Sequence, residues 1–358
     1  VRVDQVIPAL TSRDAIGVHT LNAQRALRAA GFASDVFFGT SSPDVASAGR
    51  PIASLGRRGR DRFLLYQASI GSPVFDVLAA REEPKLSNYH NITPAELLAP
   101  WEPAVAYHAA LGRAQLARLA PDCGLAIADS KFNEAELLDL GYGDTAVVPL
   151  LIDMTHAGAE PDPAVFSRLM EAKSRGGVDF VYVGRIAPHK APHDLVKALA
   201  VYRQLYDPRA RLHLVGSPVG DRYEAALLGF VRELGLESAV EVTGSVSPAT
   251  LEAYWRAADV YVSASEHEGF CVPVVEAMGH GVPVVAFGAG AVPETVAGAG
   301  LVLASKDPLH FAAALARVAS DADLRSRLAE IGRRRAEALS LSRSTERFVE
   351  LVRRAVGV

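Results

Sequence analysis

The sequence predicts an α/β protein made of two doubly wound, Rossmann-like domains, and three observations carry that prediction. Short apolar runs alternate with longer amphipathic segments along nearly the whole chain. This rhythm yields parallel sheets covered by helices on both faces. The periodicity breaks once, over residues 151–163, "LIDMTHAGAEPDP", where Gly158, Pro161 and Pro163 cluster as they do in linkers. The length of 358 residues suits two domains of ordinary size better than one.

In the first half the predicted strands are "VDQVIPAL", "SDVFFG", "FLLYQ", "KLSNYH", "GLAIAD" and "TAVVPLL". The segment "GVHTLNAQRALRAAG" between the first two has helical periodicity and stops at Gly31, a common residue just past a helix end. The second half repeats the pattern with "VDFVYVG", "RLHLVG", "VEVTG", "DVYVSAS", "VPVVAFG" and "GLVLA". From Pro308 onward the chain reads as helices, and "SRSTERFVELVRRAV" follows a break near residues 340–342. The domains expected are therefore 1–152 and 153–340, with the helix in 341–358 packing back on the first. Open parallel sheets bind ligands beyond the carboxyl ends of their strands, so a cleft between the two sets of strand ends is expected.

Nearly half the residues are hydrophobic, enough for a large core without crosslinks. A formal net charge of −4 argues against a nucleic-acid binder, which usually carries a basic excess. The two cysteines, Cys123 and Cys271, are far apart and form neither a disulfide framework nor a metal knuckle, so a reducing compartment is expected. No apolar run reaches membrane-spanning length. The opening "VRVDQVIPAL" reads as a core strand and not as a signal peptide, and a cytoplasmic location follows as an expectation.

Residues 266–276, "EHEGFCVPVVE", set Glu268 and Glu276 around a loop that leaves a strand and enters a helix near Pro273. Proline suits a first helical position. The free N–H groups of Phe270, Cys271 and Val272 would then face outward from a positive helix end, an arrangement that binds phosphate. Gly269 would let the backbone turn. Glu276 would reach vicinal hydroxyls, and Glu268 a polar group beyond the phosphates. Taken singly, each acid is more simply a dipole partner or a solvated turn residue. A second site changes the balance: "VYVGRIAPHKAPHDLVKAL" puts Arg185 and Lys190 just before a helix, and two cations there suit a diphosphate. His189 and His193 have a spacing seen in metal sites, but Pro192 intervenes and no carboxylate completes a ligand set, so no metal is expected.

"GRIAPHK" resembles the arginine–lysine motif of retaining GT-B glycosyltransferases of family 4, "EGFCVPVVEAMGHGVPVVA" resembles that family's E-x7-E segment, and "GAVPETV" resembles the acidic segment after it. The likeness extends over nearly the whole chain. It implies that Arg185 and Lys190 bind the donor diphosphate, Glu276 the ribose hydroxyls and Glu268 the transferred sugar. It also implies that Gly216 with the Ser245–Val246 backbone lines the base pocket, that Gly17 in "SRDAIGVHT" belongs to a glycine loop closing over phosphate and sugar, and that His90 in "SNYHNITP" lies near the reacting carbon. The implied reaction moves a hexosyl unit from a UDP- or GDP-sugar to a hydroxyl of a glycan, lipid-linked sugar or small metabolite, with retention, by front-face attack and without metal or other cofactor. The chain departs from the family pattern at Ala191, Cys271 and the Leu150–Leu151 pair, where glycine or asparagine–glycine is common, and in keeping only Gly17 of a usual glycine pair.

Two further signals are present. "SDADLRSRL" holds Asp321 and Asp323 in a metal-binding spacing of another fold, but Ser320 and Asp323 read more simply as a capping box. Arg57, Arg58, Arg60 and Arg62 in "SLGRRGRDRF" could touch an anionic membrane surface, although a solvated loop is the simpler reading. A nucleotide-sugar epimerase and a non-catalytic donor-binding subunit are the rival functions.

Overall fold

The computed structural model describes residues 1–12, 14–56, 59, 61–154 and 160–358. They form two compact units, 1–153 with 339–358, and 154–338.

The first unit holds β1 (Arg2–Leu10), α1 (Ala15–Ala29), β2 (Val36–Ser41), β3 (Arg50–Pro51), β4 (Arg62–Ala68), α2 (Val74–Ala79), β5 (Lys85–Tyr89), α3 (Pro103–Leu119), β6 (Cys123–Ala128), α4 (Lys131–Asp139) and β7 (Thr145–Val147). Its sheet is parallel in the order β3-β2-β1-β4-β5-β6-β7. The strands are almost wholly buried, which is why they read as near-continuous apolar runs. β3 escaped the sequence reading because two residues show no periodicity.

The second unit holds α5 (Pro163–Ser174), β8 (Asp179–Val183), α6 (Pro192–Leu205), β9 (Arg211–Val215), α7 (Asp221–Glu233), β10 (Val240–Gly244), α8 (Pro248–Ala257), β11 (Val260–Ser263), α9 (Val272–Gly279), β12 (Val284–Phe287), α10 (Val292–Val296), β13 (Gly300–Leu303), α11 (Pro308–Ser320) and α12 (Ala322–Ala338). The strand order is β10-β9-β8-β11-β12-β13, all parallel. This sheet reverses direction between β8 and β11, the point where open α/β sheets bind ligands.

Several helices start by one local rule: a side-chain oxygen caps the first turn and proline takes the first helical position. Asp162 with Pro163, Ser247 with Pro248 and Asp307 with Pro308 all follow it. At α12 the cap is Asp321, whose carboxylate accepts from the Leu324 N–H at 2.9 Å. Ser320 instead ends α11 by donating to the Ala316 carbonyl, so the capping assignment moves by one residue. The last helix, α13 (Leu341–Val356), belongs to the first unit: Phe348, Leu351 and Val352 are buried with Val3, Leu27 and Leu151.

Candidate functional site

Arg185 and Lys190 follow β8, and Glu268 to Val272 lie between β11 and α9. β8 and β11 pair directly at the sheet's reversal, Val260 beside Phe180 and Tyr261 beside Val181. The two stretches predicted to share a phosphate site are therefore neighbours. The Glu266 N–H donates to the His189 carbonyl at 2.8 Å, and Lys190 Nζ lies 2.7 Å from Glu268 Oε1. Arg185 is exposed, and among the described residues no carboxylate pairs with it. The Tyr182 hydroxyl holds the Arg185 carbonyl at 2.9 Å, fixing the start of this loop.

The loop before α9 is braced from behind. Its Glu268 carbonyl accepts from the Ala291 N–H at 2.8 Å, and its Phe270 carbonyl accepts from Thr295 Oγ1 at 2.6 Å. A trans peptide points its N–H opposite its carbonyl, so the N–H groups of Gly269 and Cys271 face away from α10. Among the described residues, none of the N–H groups from Gly269 to Val272 donates to another main-chain carbonyl. They sit at the positive end of α9, an anion-binding geometry. Gly290 makes the bracing possible: at φ 56°, any Cβ there would lie 2.3 Å from the Glu268 carbonyl oxygen. Here "GAVPETV" acts as a buttress.

The left-handed turn of this loop falls on Cys271 (φ 70°, ψ 69°), and the helix begins at Val272, one residue before the expected start. Burial pushes the Cys271 thiol well up, so it stays neutral. Ala191, after Lys190, is also left-handed at φ 47°. Both positions are ones where the resemblance leads one to expect glycine. Glu276 lies in the second turn of α9 and, like Glu268, is buried.

Gly216 ends β9 at φ 146°, and a Cβ there would lie 2.0 Å from the Gly184 carbonyl oxygen. It bridges Gly244, so two strand ends meet backbone to backbone. Ser245 is exposed, and Val246 turns its side chain into the cluster around Leu169 and Tyr254, which leaves main chain as what this turn can offer a ligand.

Sequence reasoning missed the clamp around these loops. Lys306 Nζ reaches Asp194 Oδ2 at 2.7 Å and Glu266 Oε1 at 2.5 Å, tying the start of α6 to the loop after β11. An isolated lysine before a helix gives no sequence signal. His189 is buried, and burial, reinforced by positive Lys190 and Arg185, depresses its pKa to about 2, so it adds shape and no charge. His193 Nδ1 lies 2.8 Å from the Tyr223 hydroxyl. Among the described residues no group of three His, Cys, Asp or Glu side chains converges as a metal site would require.

The two candidates in the first unit are Gly17 and His90. Gly17 lies inside the first turn of α1, where its N–H donates to the capping Asp14 carboxylate at 2.6 Å. A Cβ would lie 1.7 Å from the Thr11 carbonyl oxygen, so tight packing of the helix on its preceding turn explains the glycine. His90 follows β5 with its ring buried, Nδ1 3.0 Å from Asp129 Oδ2 and Nε2 2.6 Å from Gln67 Oε1. The Gln67 amide donates to Gln5 Oε1, and the Gln5 amide donates to the Thr20 carbonyl. A carbonyl only accepts, so this relay fixes both amides and makes His90 Nε2 a donor. Both ring nitrogens are committed inside the unit, and the His90 main chain is what faces outward. The His19 ring packs on His90 at 4.6 Å; burial, then the His90 charge, hold His19 neutral, with Nδ1 accepting from the Leu151 N–H. Burial raises the Asp129 pKa, with His90 opposing. Asp129, at a strand end in "IADS", was legible as a candidate and was not singled out.

Arg57, Arg58 and Arg60 lie outside the described residues, as does Gly158 of the predicted linker. Arg62 is part of β4, with Nε 3.1 Å from Asp4 Oδ2, and is thereby removed from any loose basic patch. No helix among the described residues is long and apolar enough to cross a membrane.

The sequence model of the family described as glycosyl transferases group 1 matches residues 170–335. Fold and site define an α/β protein of GT-B architecture. Sucrose-phosphate synthase from Thermosynechococcus elongatus superimposes with a TM-score of 0.77 at 21% identity, covering 99% of each chain. HepE from Anabaena, in complex with UDP-glucose, gives 0.77 at 17% identity over 98% of this chain and 99% of its own. Among sequence relatives, the D-inositol 3-phosphate glycosyltransferase of Kineococcus radiotolerans is 31% identical over 248 residues, 64% of this chain and 57% of its own. The chain spans about half the length of the curated relatives it matches. Residues 170–335 are thus similar to the glycosyl transferases of group 1, and the fold is that of GT-B glycosyltransferases.

Proposed function

We infer that the protein is a retaining hexosyltransferase of family 4, moving a sugar from a UDP- or GDP-sugar to an acceptor hydroxyl without a metal. One observation carries the reading: at the reversal of the second sheet, the loop with Arg185 and Lys190 and the loop before α9 leave paired strands, and Lys190 lies 2.7 Å from Glu268. Relatives named as sugar-transferring enzymes and a structural neighbour solved with UDP-glucose support a nucleotide-sugar donor.

Breaking the bond between anomeric carbon and phosphate puts positive charge on the sugar and negative charge on the diphosphate. Arg185, Lys190 and the outward N–H groups are preorganised to stabilise the negative charge. Lys190 then exchanges its contact with Glu268 for one shared with phosphate, and the released carboxylate turns to the sugar hydroxyls. Glu276 takes the ribose, and the main chain at Gly216 and Ser245–Val246 takes the base. The acceptor oxygen bonds to the anomeric carbon on the face the diphosphate leaves, and its proton passes to a diphosphate oxygen.

Product analysis tests this: UDP- and GDP-hexoses are incubated with and without candidate acceptors, a chelator being present throughout. The expected outcome is a glycoside with the donor's anomeric configuration, formed at an undiminished rate under chelation. Conversion of the donor sugar without acceptor would point to an epimerase, and binding without turnover to a non-catalytic subunit. Arg185→Ala is expected to lower kcat/KM about 10²–10³-fold, the scale for a donor aimed at developing charge.

A further inference from the structure

The first unit carries a second concave site that the transfer reaction does not use. A cavity of 410 Å³ lies beside α1, between it and the segment leading into β3. Buried Val36 and Gln24, with Leu21, make its floor, and Arg25, Arg28 and Arg50 stand around it. Three guanidinium groups thus face one lining carboxylate, Asp35. Asp35 is already engaged: Arg2 Nη1 lies 3.0 Å from Oδ2 and Arg28 Nη2 3.2 Å from Oδ1, while Arg50 comes no nearer than 3.8 Å. Arg25 Nη1 bonds only a neutral group, Asn22 Oδ1, at 2.6 Å. Burial alone would raise the Asp35 pKa, but the hydrogen bond from Arg2 and the charges of Arg50 and Arg28 hold it below the usual carboxylate range.

Like charges gathered around a concave surface repel unless an anion sits among them, and guanidinium forks match phosphate oxygens in pairs. Val36 and Leu21 give the floor an apolar part beside Gln24, and the volume falls within the range of small-ligand pockets. We propose that this cavity binds a phosphate ester, the phosphate held by Arg25, Arg28 and Arg50 and the carbon skeleton lying on Val36 and Leu21. The inference is independent of the donor reading, since every residue it uses lies in the first fifty of the chain.

Hydrogen-exchange mass spectrometry on the full chain tests it, with glycerol 3-phosphate, vesicles containing phosphatidylglycerol, or sodium chloride at matched ionic strength. Added protection is expected in peptides covering 21–28 and 46–50. In Arg25→Gln/Arg28→Gln/Arg50→Gln, the concentration giving half of that protection should rise about tenfold or more, the scale of losing charge-assisted contacts. Should the triple variant fold poorly, Arg25→Gln alone serves, because it leaves the Asp35 pairs intact. Protection by the soluble ester marks a free phosphate ester as the ligand, and protection by vesicles alone marks a lipid headgroup. Absence of protection with both, or equal protection in wild type and variant, overturns the proposal. Changes at 185–190 and 268–276 report on the donor site separately.

Discussion

Ala191 and Cys271 each hold a left-handed backbone without the freedom of glycine, at φ 47° and φ 70°, and each adjoins a stretch proposed above to bind phosphate. A side chain in this region costs roughly 1–2 kcal/mol, partly offset because glycine loses more entropy on folding. Ala191→Gly and Cys271→Gly should each stabilise the second unit by about 0.5–1 kcal/mol, a rise of a few degrees in Tm. A fall in Tm for both variants would contradict the strain assigned here. The sequence marked these positions as departures from a glycine pattern, yet only the backbone reveals what they cost. Gly17 is the reverse case, a glycine whose place in the first turn of α1 helix packing itself requires. His90 was legible as a strand-end histidine, but its commitment to Asp129 and Gln67 depends on contacts distant in sequence.

At the scale of elements, the amino-terminal edge of the second sheet is held by an ionic ladder that sequence periodicity does not show. His213 on β9 lies between Asp179 on β8 (3.0 Å) and Glu241 on β10 (2.8 Å), and Arg211 forks onto Asp179. Burial alone would depress His213, but the hydrogen bonds it donates to Asp179 and Glu241 outweigh it and raise the pKa. Burial likewise opposes the ionised Asp179, yet Arg211 and His213 hold it at about 2. A raised histidine pKa gives stability that is complete below the unfolded value near 6.5 and fades as pH rises through the folded value. Asp179 works oppositely: its contribution is present above about 4 and is lost as pH falls towards 2. The second unit should therefore lose stability from neutral to alkaline pH, and His213→Leu should flatten that limb and cost roughly 1.5–3 kcal/mol, the scale of hydrogen bonds to charged groups, because Asp179 keeps only Arg211. Chemical denaturation across pH checks this; an unchanged alkaline limb in the variant would mean His213 is uncharged. Legibility is good for the elements themselves, since buried parallel strands announce themselves as apolar runs. It fails for β3, which is too short, and for such ladders, which join single residues on three strands.

For the whole molecule, each unit has its own core, and the chain's last helix completes the first. The amphipathic pattern of α13 was readable, but its partners are Val3, Leu27 and Leu151. Ending the chain before Leu341 would uncover that face. Calorimetry should then show the first unit's transition lowered or lost while the second unit's remains; a first unit of unchanged Tm would contradict the assignment of α13 to its core. The family likeness was legible because its charged residues sit in short stretches after β8 and β11, which the strand order makes neighbours.

The central claim is that cations at the reversal of the second sheet grip a nucleoside diphosphate. Calorimetric titration of UDP and GDP into wild type and Arg185→Ala/Lys190→Ala tests it most directly. One nucleotide should bind the wild type, and the double variant should bind it about 100-fold or more weakly, as expected for losing two charge-assisted contacts. Equal affinity in the two proteins would contradict the account.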